Sequence, residues 1–219
     1  MSIDARNRFR NLLGNYRYVS YQMRLWSIHA KLNSLSRSDE QRFLDNVVTR
    51  HNLPRPWLTL DLGCGSYPRN PFGADLVQGC DIRADLDTNV KACNLATDPI
   101  PEESESINFI TAYDFIEHIP RILMANTTRF PFIELMCEIY RVLKPSGLFF
   151  ARTPFYPKSE AFQDPTHVNY ITDDTFPLYF CWHPYGGPWG RIYGFNGKFA
   201  LIKQRRMGSS LFTLLEKIP

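Results

Sequence analysis

No stretch of the chain approaches the roughly 18 consecutive apolar residues of a membrane span. Its first ten residues, MSIDARNRFR, also lack the apolar run of a secretory signal. Both absences lead us to expect a cytoplasmic protein. There is no CxxC pair, and the cysteines are odd in number: Cys64, Cys80, Cys93, Cys137 and Cys181. That argues against a disulfide framework or a cysteine zinc site, and we read these residues as small buried apolar groups. A strong net charge is missing too, since 25 Lys and Arg against 22 Asp and Glu leave +3. Global electrostatics therefore do not mark a nucleic-acid binder. Five arginines fall in the first 24 residues (Arg6, Arg8, Arg10, Arg17, Arg24) and read as a solvated helix face. Repeats and low-complexity tracts are absent, and 44% hydrophobic with 21% charged residues is the balance of a folded domain. At 219 residues the chain suits one well-buried domain with a smaller extension.

Residues 1–53 read as a helical N-terminal extension. Val19, Met23, Trp26 and Ala30 share one helical face, and a Ser38–Gln41 capping box opens another helix. Pro54 and Pro56 end it, so the main domain is placed at 54–219. Seven strand-like runs follow: WLTLDL, LVQGCDI, VKACNL, INFITAY, LFFART, KFALIKQRRM and SLFTLLEKI. Helices are predicted for one or two turns in DFIEHI, from Pro131 to Leu143 with a stop at KPSG, and in TDDTFPLYFC. The last two strands form a hairpin through Gly208-Ser209. The predicted fold class is α/β, a Rossmann-like, mostly parallel seven-stranded sheet with an antiparallel C-terminal strand and a helical N-terminal extension.

The first strand runs into LDLGCGSYP, residues 60–68, and an acid, Asp81, stands twenty residues after Asp61. Strand, glycine turn and distant acid are the physical kit for a nucleoside, because glycine allows close backbone approach and the acid accepts from ribose hydroxyls. The dinucleotide fingerprint would need a third glycine where the chain has Pro68, which speaks against a pyrophosphate at a helix N-terminus and against a nicotinamide dehydrogenase.

Asp61-x-Gly63-x-Gly65 with Asp81 resembles the first two motifs of class I S-adenosylmethionine-dependent methyltransferases. ITAYDFIEHIP resembles their fourth-strand motif and RVLKPSG their turn before strand five, so the likeness spans roughly residues 57–152 in order. Tyr67 departs from the pattern, standing in place of a third glycine. The resemblance implies S-adenosyl-L-methionine as cofactor. It implies a loop of Asp61, Gly63, Cys64 and Gly65, with Asp81 and Ile82 at the ribose end. It also implies Asn94 and Leu95 beside the adenine, and Tyr113 and Asp114 at the methionine end.

Methyl transfer to a hydroxyl needs an oriented acceptor and a base near neutral pKa, for which histidine fits. His118 follows the fourth strand and His167 the fifth, at carboxyl ends where open α/β sheets bind ligands. QDPTHVNYIT resembles a segment of methyltransferase-11-type enzymes, some of which act on sugars or secondary metabolites. The candidate catalytic residues are His167, His118 and Glu117. Asp114-x-x-Glu117-His118 resembles a pattern that can hold a divalent ion in ubiquinone-type O-methyltransferases and small-RNA 2′-O-methyltransferases. The preferred reading is no metal, with the Glu-His pair shaping the cofactor's edge. His29 reads as structural, and His183 lies in an aromatic stretch, Phe176 to Tyr193, that suits either an acceptor or ordinary packing. The chain carries no [Asp/Asn/Ser]-Pro-Pro-[Tyr/Phe] motif after strand four, against amino-methylation of nucleic acid. The expected acceptor is a small molecule or glycan, with the N-terminal helices covering it and nucleic acid not expected. RNA ribose 2′-O-methylation and a catalytically silent cofactor-binding scaffold are the alternatives.

Overall fold

The computed structural model describes residues 39–45, 47, 53–124, 126–183 and 186–219. The predicted helical face of Val19, Met23, Trp26 and Ala30, His29, and the capping residue Ser38 lie outside these. The chain separates into two compact units, residues 1–45 and 46–219. In the first, residues 39–44 form a helix, α1. Among the described residues no helix is long and apolar enough to cross a membrane.

The second unit is built on one seven-stranded sheet. Its strands are β1 (Leu58–Leu62), β2 (Leu76–Asp81), β3 (Val90–Ala92), β4 (Ile107–Tyr113), β7 (Leu143–Pro154), β8 (Phe199–Met207) and β9 (Ser210–Lys217), in the order β3-β2-β1-β4-β7-β9-β8. A two-stranded ribbon, β5 (Leu123–Met124) and β6 (Thr128–Arg129), stands apart. β3, β2, β1, β4 and β7 pair in parallel, and β9 runs antiparallel to both of its neighbours. All seven residues of β4 are buried, as expected for a central parallel strand covered on both faces.

Helix α2 (Pro131–Val142) starts on proline at its first turn, where a missing N–H costs nothing. Its Phe132, Leu135, Met136, Ile139 and Val142 repeat at helical spacing and pack in one cluster with Leu60, Leu62, Ile110 and Phe149 of the sheet. Helix α3 (Thr175–Phe180) adds Phe176 and Phe180 to the same core. KPSG is not a turn that separates helix from strand. β7 begins directly at Leu143, and Lys144–Gly147 form an irregularity within it, where the partner of β4 jumps from Leu143 to Leu148. Ser146 takes a positive φ of 61° there, and Pro145 has no N–H for the ladder, so the strand continues while pairing lapses.

No helix links β1 to β2, β2 to β3 or β3 to β4. Pro68 and Pro71 explain the first gap, and Asn70 replaces a helical turn by bonding both backbone groups of Ala74 at 2.9 Å. The β3–β4 connection is held from α2. Arg141 donates to the carbonyls of Ile100 (2.9 Å) and Glu102 (2.8 Å) and to Glu138 (2.7 Å), while Glu138 accepts from the Ile100 N–H (2.9 Å). The Arg141 bonds hold the Glu138 carboxyl below the usual carboxylate range. Arg141→Ala leaves two carbonyls and a carboxylate short of a donor. It is expected to lower unfolding free energy by about 1–3 kcal/mol in urea melts, with a change below a few tenths showing that water replaces the guanidinium.

Candidate active site

The chain leaves β1 toward β2 on one side, while β4 lies on the other, so the strand order reverses between β1 and β4. Ligands of open α/β sheets bind at such a reversal, outside the carboxyl ends of the strands. The glycine loop of residues 63–69 sits there. Gly63 has φ +65°, and its N–H donates to Cys80 of β2 at 2.8 Å. A Cβ on Gly63 would stand 2.2 Å from the Phe115 ring, so glycine is required both by conformation and by space. Gly65, with φ +60° and open space around it, donates its N–H to the Asp81 carboxylate at 2.9 Å.

The two motif acids do different work. Asp61 is 1% exposed and accepts from the Thr111 hydroxyl at 2.6 Å and the Arg69 N–H at 2.8 Å. It pins the loop across β1 and β4. Asp81, at the end of β2, is only partly buried and keeps acceptor capacity at the rim of the crevice. Burial, then the charges of Asp61 and Asp81, push the Cys64 thiol up to about 12, so it is a neutral wall of the loop. Ile82 is 69% exposed just beyond Asp81. Asn94 is exposed and closes the 94–98 turn, accepting from the Ala96 N–H with its side chain at 3.2 Å. Leu95 turns its side chain into the hydrophobic core, so a ligand at that turn would meet its backbone. A cavity of about 310 Å³ opens between this turn and α2, and shares only Leu95 with the expected cofactor residues.

Tyr113 ends β4, with its ring edge-on to Phe150 at 5.5 Å. The guanidinium of Arg69 lies 4.2 Å over that ring and the guanidinium of Arg152 lies 5.2 Å from it. Asp114, at φ +48°, pairs its carboxylate with Arg152 and donates its N–H to the Arg152 carbonyl at 2.8 Å. Arg69 escaped the sequence reading. Its only signal there was a cation four residues past Gly65.

The next turn of chain, Ile116–His118, is a 3₁₀ turn that carries the second group of candidates. The Glu117 carbonyl accepts from the N–H groups of Val168 (2.9 Å) and Asn169 (3.0 Å), and Asn169 also donates to the Ile116 carbonyl at 3.1 Å. These bonds bring the loop after β7 onto the turn after β4, and with it His167 onto His118. The two imidazoles meet edge to face with centroids 4.8 Å apart. Ligand atoms of Glu117, His118 and His167 all lie within 4.8 Å of one another.

The Thr166 hydroxyl is 2.6 Å from Asp164, to which it donates, and 3.0 Å from His118 Nδ1, which therefore donates to it. His167 Nδ1 lies 3.3 Å from the Ala161 carbonyl, which can only accept. Both neutral rings thus keep a lone pair on Nε2. Glu117 is 1% exposed, and among the described residues neither carboxylate oxygen has a hydrogen-bond partner. Desolvation pushes its carboxyl up to about 8. Two imidazoles and an unpartnered buried carboxylate form a donor set that fits a divalent transition metal, which would satisfy the carboxylate. Asp114, expected beside Glu117 in such a set, is instead held by Arg152.

The aromatic stretch from Phe176 to Tyr193 divides. Phe176 and Phe180 are core residues, Trp189 is half-exposed, and His183 packs edge-on to Trp189 at 6.5 Å. The loop carrying His167 brings its own aromatics: Phe162 stacks on Tyr170 at 4.8 Å and meets Tyr156 edge-on at 6.2 Å, all three partly exposed.

No family model matches the chain, and no curated protein matches it. Solved structures do. The Haloferax volcanii chain described as a methyltransferase, in complex with the Trm112 methyltransferase activator, superposes with TM-score 0.53 at 12% identity over 89% of this chain and 96% of its own. An S-adenosylmethionine-dependent methyltransferase from Archaeoglobus fulgidus gives TM-score 0.50 at 15% identity, covering 83% and 94%. The [4+2]-cyclase SpnF gives 0.54 at 13%, covering 81% and 80%. The fold is that of class I S-adenosylmethionine-dependent methyltransferases, and the cyclase among its likenesses shows that the fold leaves the reaction open.

The folded Glu117 carboxyl holds its proton to about pH 8, whereas its ordinary value is 4.5. Between those limits the unfolded chain binds fewer protons, so stability falls as pH rises. Glu117→Gln removes that fall. In metal-free buffer the variant is expected to gain about 2–4 kcal/mol over wild type at pH 8, and less at pH 5. Urea melts at both values check this, and a gain independent of pH would refute the buried ionisation.

Proposed function

We propose that the chain is an S-adenosylmethionine-dependent methyltransferase acting on a hydroxyl group of a small molecule or glycan. The observation that carries this reading is that Glu117 and His118, four and five residues beyond the Tyr113 end of β4, meet His167 beside a glycine loop whose Gly65 N–H bonds the partly exposed Asp81 at the end of β2. The bound cofactor would supply a methyl group on a sulfonium. Asp81 accepts from ribose hydroxyls, and the loop backbone at Gly63 and Gly65 allows close approach. An acceptor hydroxyl beside the histidines gives its proton to an Nε2 lone pair as its oxygen takes the methyl carbon and the carbon–sulfur bond breaks. Tyr156, Phe162 and Tyr170 offer faces for a flat or sugar-like ring next to His167. Asp164 beside His167 favours a neutral hydroxylated acceptor over a phosphate-bearing one.

Calorimetric titration with S-adenosylhomocysteine is expected to show micromolar binding that drops at least about tenfold in Asp81→Ala, the loss of hydrogen bonds to a charged acceptor. Wild-type protein that binds no S-adenosylhomocysteine would remove the reading. Once an acceptor is found, His167→Ala should cut kcat about 100-fold or more at unchanged cofactor affinity.

A second reading adds a divalent cation held by Glu117, His118 and His167, favoured by the orphaned Glu117 carboxylate. There the cation would lower the acceptor hydroxyl's pKa, and the three side chains would hold it. Titration of the chelated, dialysed protein with Mn²⁺ or Zn²⁺ should show one site that is lost in Glu117→Gln. Absence of that site leaves the histidines as the base.

A further inference from the structure

The methionine part of S-adenosylmethionine is a zwitterion, and an ammonium and a carboxylate taken from water each need an opposite charge. The residues that sequence reading places at that end, Tyr113 and Asp114, supply an anion for the ammonium and no cation for the carboxylate. In many nucleotide-binding α/β folds a helix N-terminus after the first strand offers a positive pole. Here residues 63–75 contain no helix, so a side chain has to supply it.

We propose that Arg69 binds the α-carboxylate of the methionine part of S-adenosylmethionine. This rests on the cofactor reading above and adds a residue to it. Three features place the group. The Arg69 N–H donates to Asp61 at 2.8 Å, and the other Asp61 oxygen accepts from Thr111 at 2.6 Å, so residue 69 is fixed at the carboxyl ends of β1 and β4. Its guanidinium lies 4.2 Å over the Tyr113 ring, which is 6% exposed and wedged against Phe150, so the side chain rests on a rigid platform. Its charge also reaches back to Cys64 between the two glycines, where it opposes the rise of the thiol.

The group is free to act. Among the described residues, Arg152 on the same ring is committed to Asp114, whereas Arg69 is paired with no carboxylate. A guanidinium presents two parallel N–H groups that match a carboxylate, and stacking on an aromatic ring leaves that edge open. Asp114, next along the chain from the ring beneath Arg69, carries its carboxylate in the ion pair with Arg152. Arg69 thus makes the crevice select for an amino-acid-bearing adenosyl sulfur compound over one that lacks the amino acid.

The test compares S-adenosylhomocysteine with 5′-methylthioadenosine, which keeps the adenosyl and sulfur groups and lacks the amino-acid end. Both are titrated calorimetrically into wild type, Arg69→Met and Arg69→Lys, with thermal melts to confirm folding. The expected result is that Arg69→Met weakens S-adenosylhomocysteine on the order of tenfold or more and leaves 5′-methylthioadenosine unchanged, with Arg69→Lys in between. Equal weakening of both ligands would overturn the proposal by making Arg69 a prop of the loop, and no weakening of either would overturn it outright. Wild type that binds neither ligand would overturn the cofactor reading itself, an outcome separate from the other two.

Discussion

Asp61 is the pin on which the crevice depends. A carboxylate 1% exposed carries a heavy desolvation cost unless both oxygens are engaged, and here one takes the Thr111 hydroxyl and the other the Arg69 N–H. The bond to Thr111 runs across the paired register of β1 and β4, so the loop is referenced to the strand that carries Tyr113 and Asp114. Most folds of this plan would steady the loop with a helix, but Pro68 and Pro71 forbid it here. The acid and its two donors replace that helix. Gly63 adds a second tie through the Cys80 carbonyl, and from these ties follow the approach of the Gly65 N–H to Asp81 and of the Arg69 side chain to Tyr113.

The strands were legible because burial leaves a plain trace in sequence: INFITAY is apolar or small nearly throughout and is buried at every position. Helix α2 was legible from Pro131 and from its apolar period. KPSG marked the end of α2 correctly but was misread as a turn before the next strand, because proline and glycine mark a break in hydrogen bonding, and such a break can be a bulge as well as a turn. At the candidate site, the turn at Gly63 and Gly65 was legible by spacing, and so was the place of Asp81 at the end of the next strand. The division of labour between Asp61 and Asp81 was not, since an acid in a motif reads alike whether it faces a ligand or a threonine 50 residues away. Leu95 shows the same blindness, its side chain turned to the core while the motif could fix only its backbone position. Arg69 acquires meaning only from Tyr113, and Glu117 from His167, contacts that no local pattern encodes.

Glu117 is a local conflict left in place by the fold. Its burial without a partner weakens the folded state as pH rises, and a protein keeps such a group where function needs a carboxyl of raised pKa or a ligand for a cation. The neighbours are arranged to match, because each imidazole spends its Nδ1 on a fixed acceptor and leaves Nε2 open.

Six consecutive residues, Tyr113 to His118, span both halves of the site. An in-line displacement tolerates little error between methyl donor and acceptor, on the order of half an ångström. Two groups carried on separate loops would drift relative to one another. Here the platform under Arg69 and the Glu117–His118 pair leave the same strand end, a strand whose seven residues are all buried, and Gly63 rests directly on Phe115 between them. On the histidine side of the site, His167 arrives from another loop, and it is brought to this turn by the N–H groups of Val168 and Asn169, which bond the carbonyl of Glu117 itself. The spacing of Tyr113 from the Glu117–His118 pair is therefore set by covalent geometry at the end of β4.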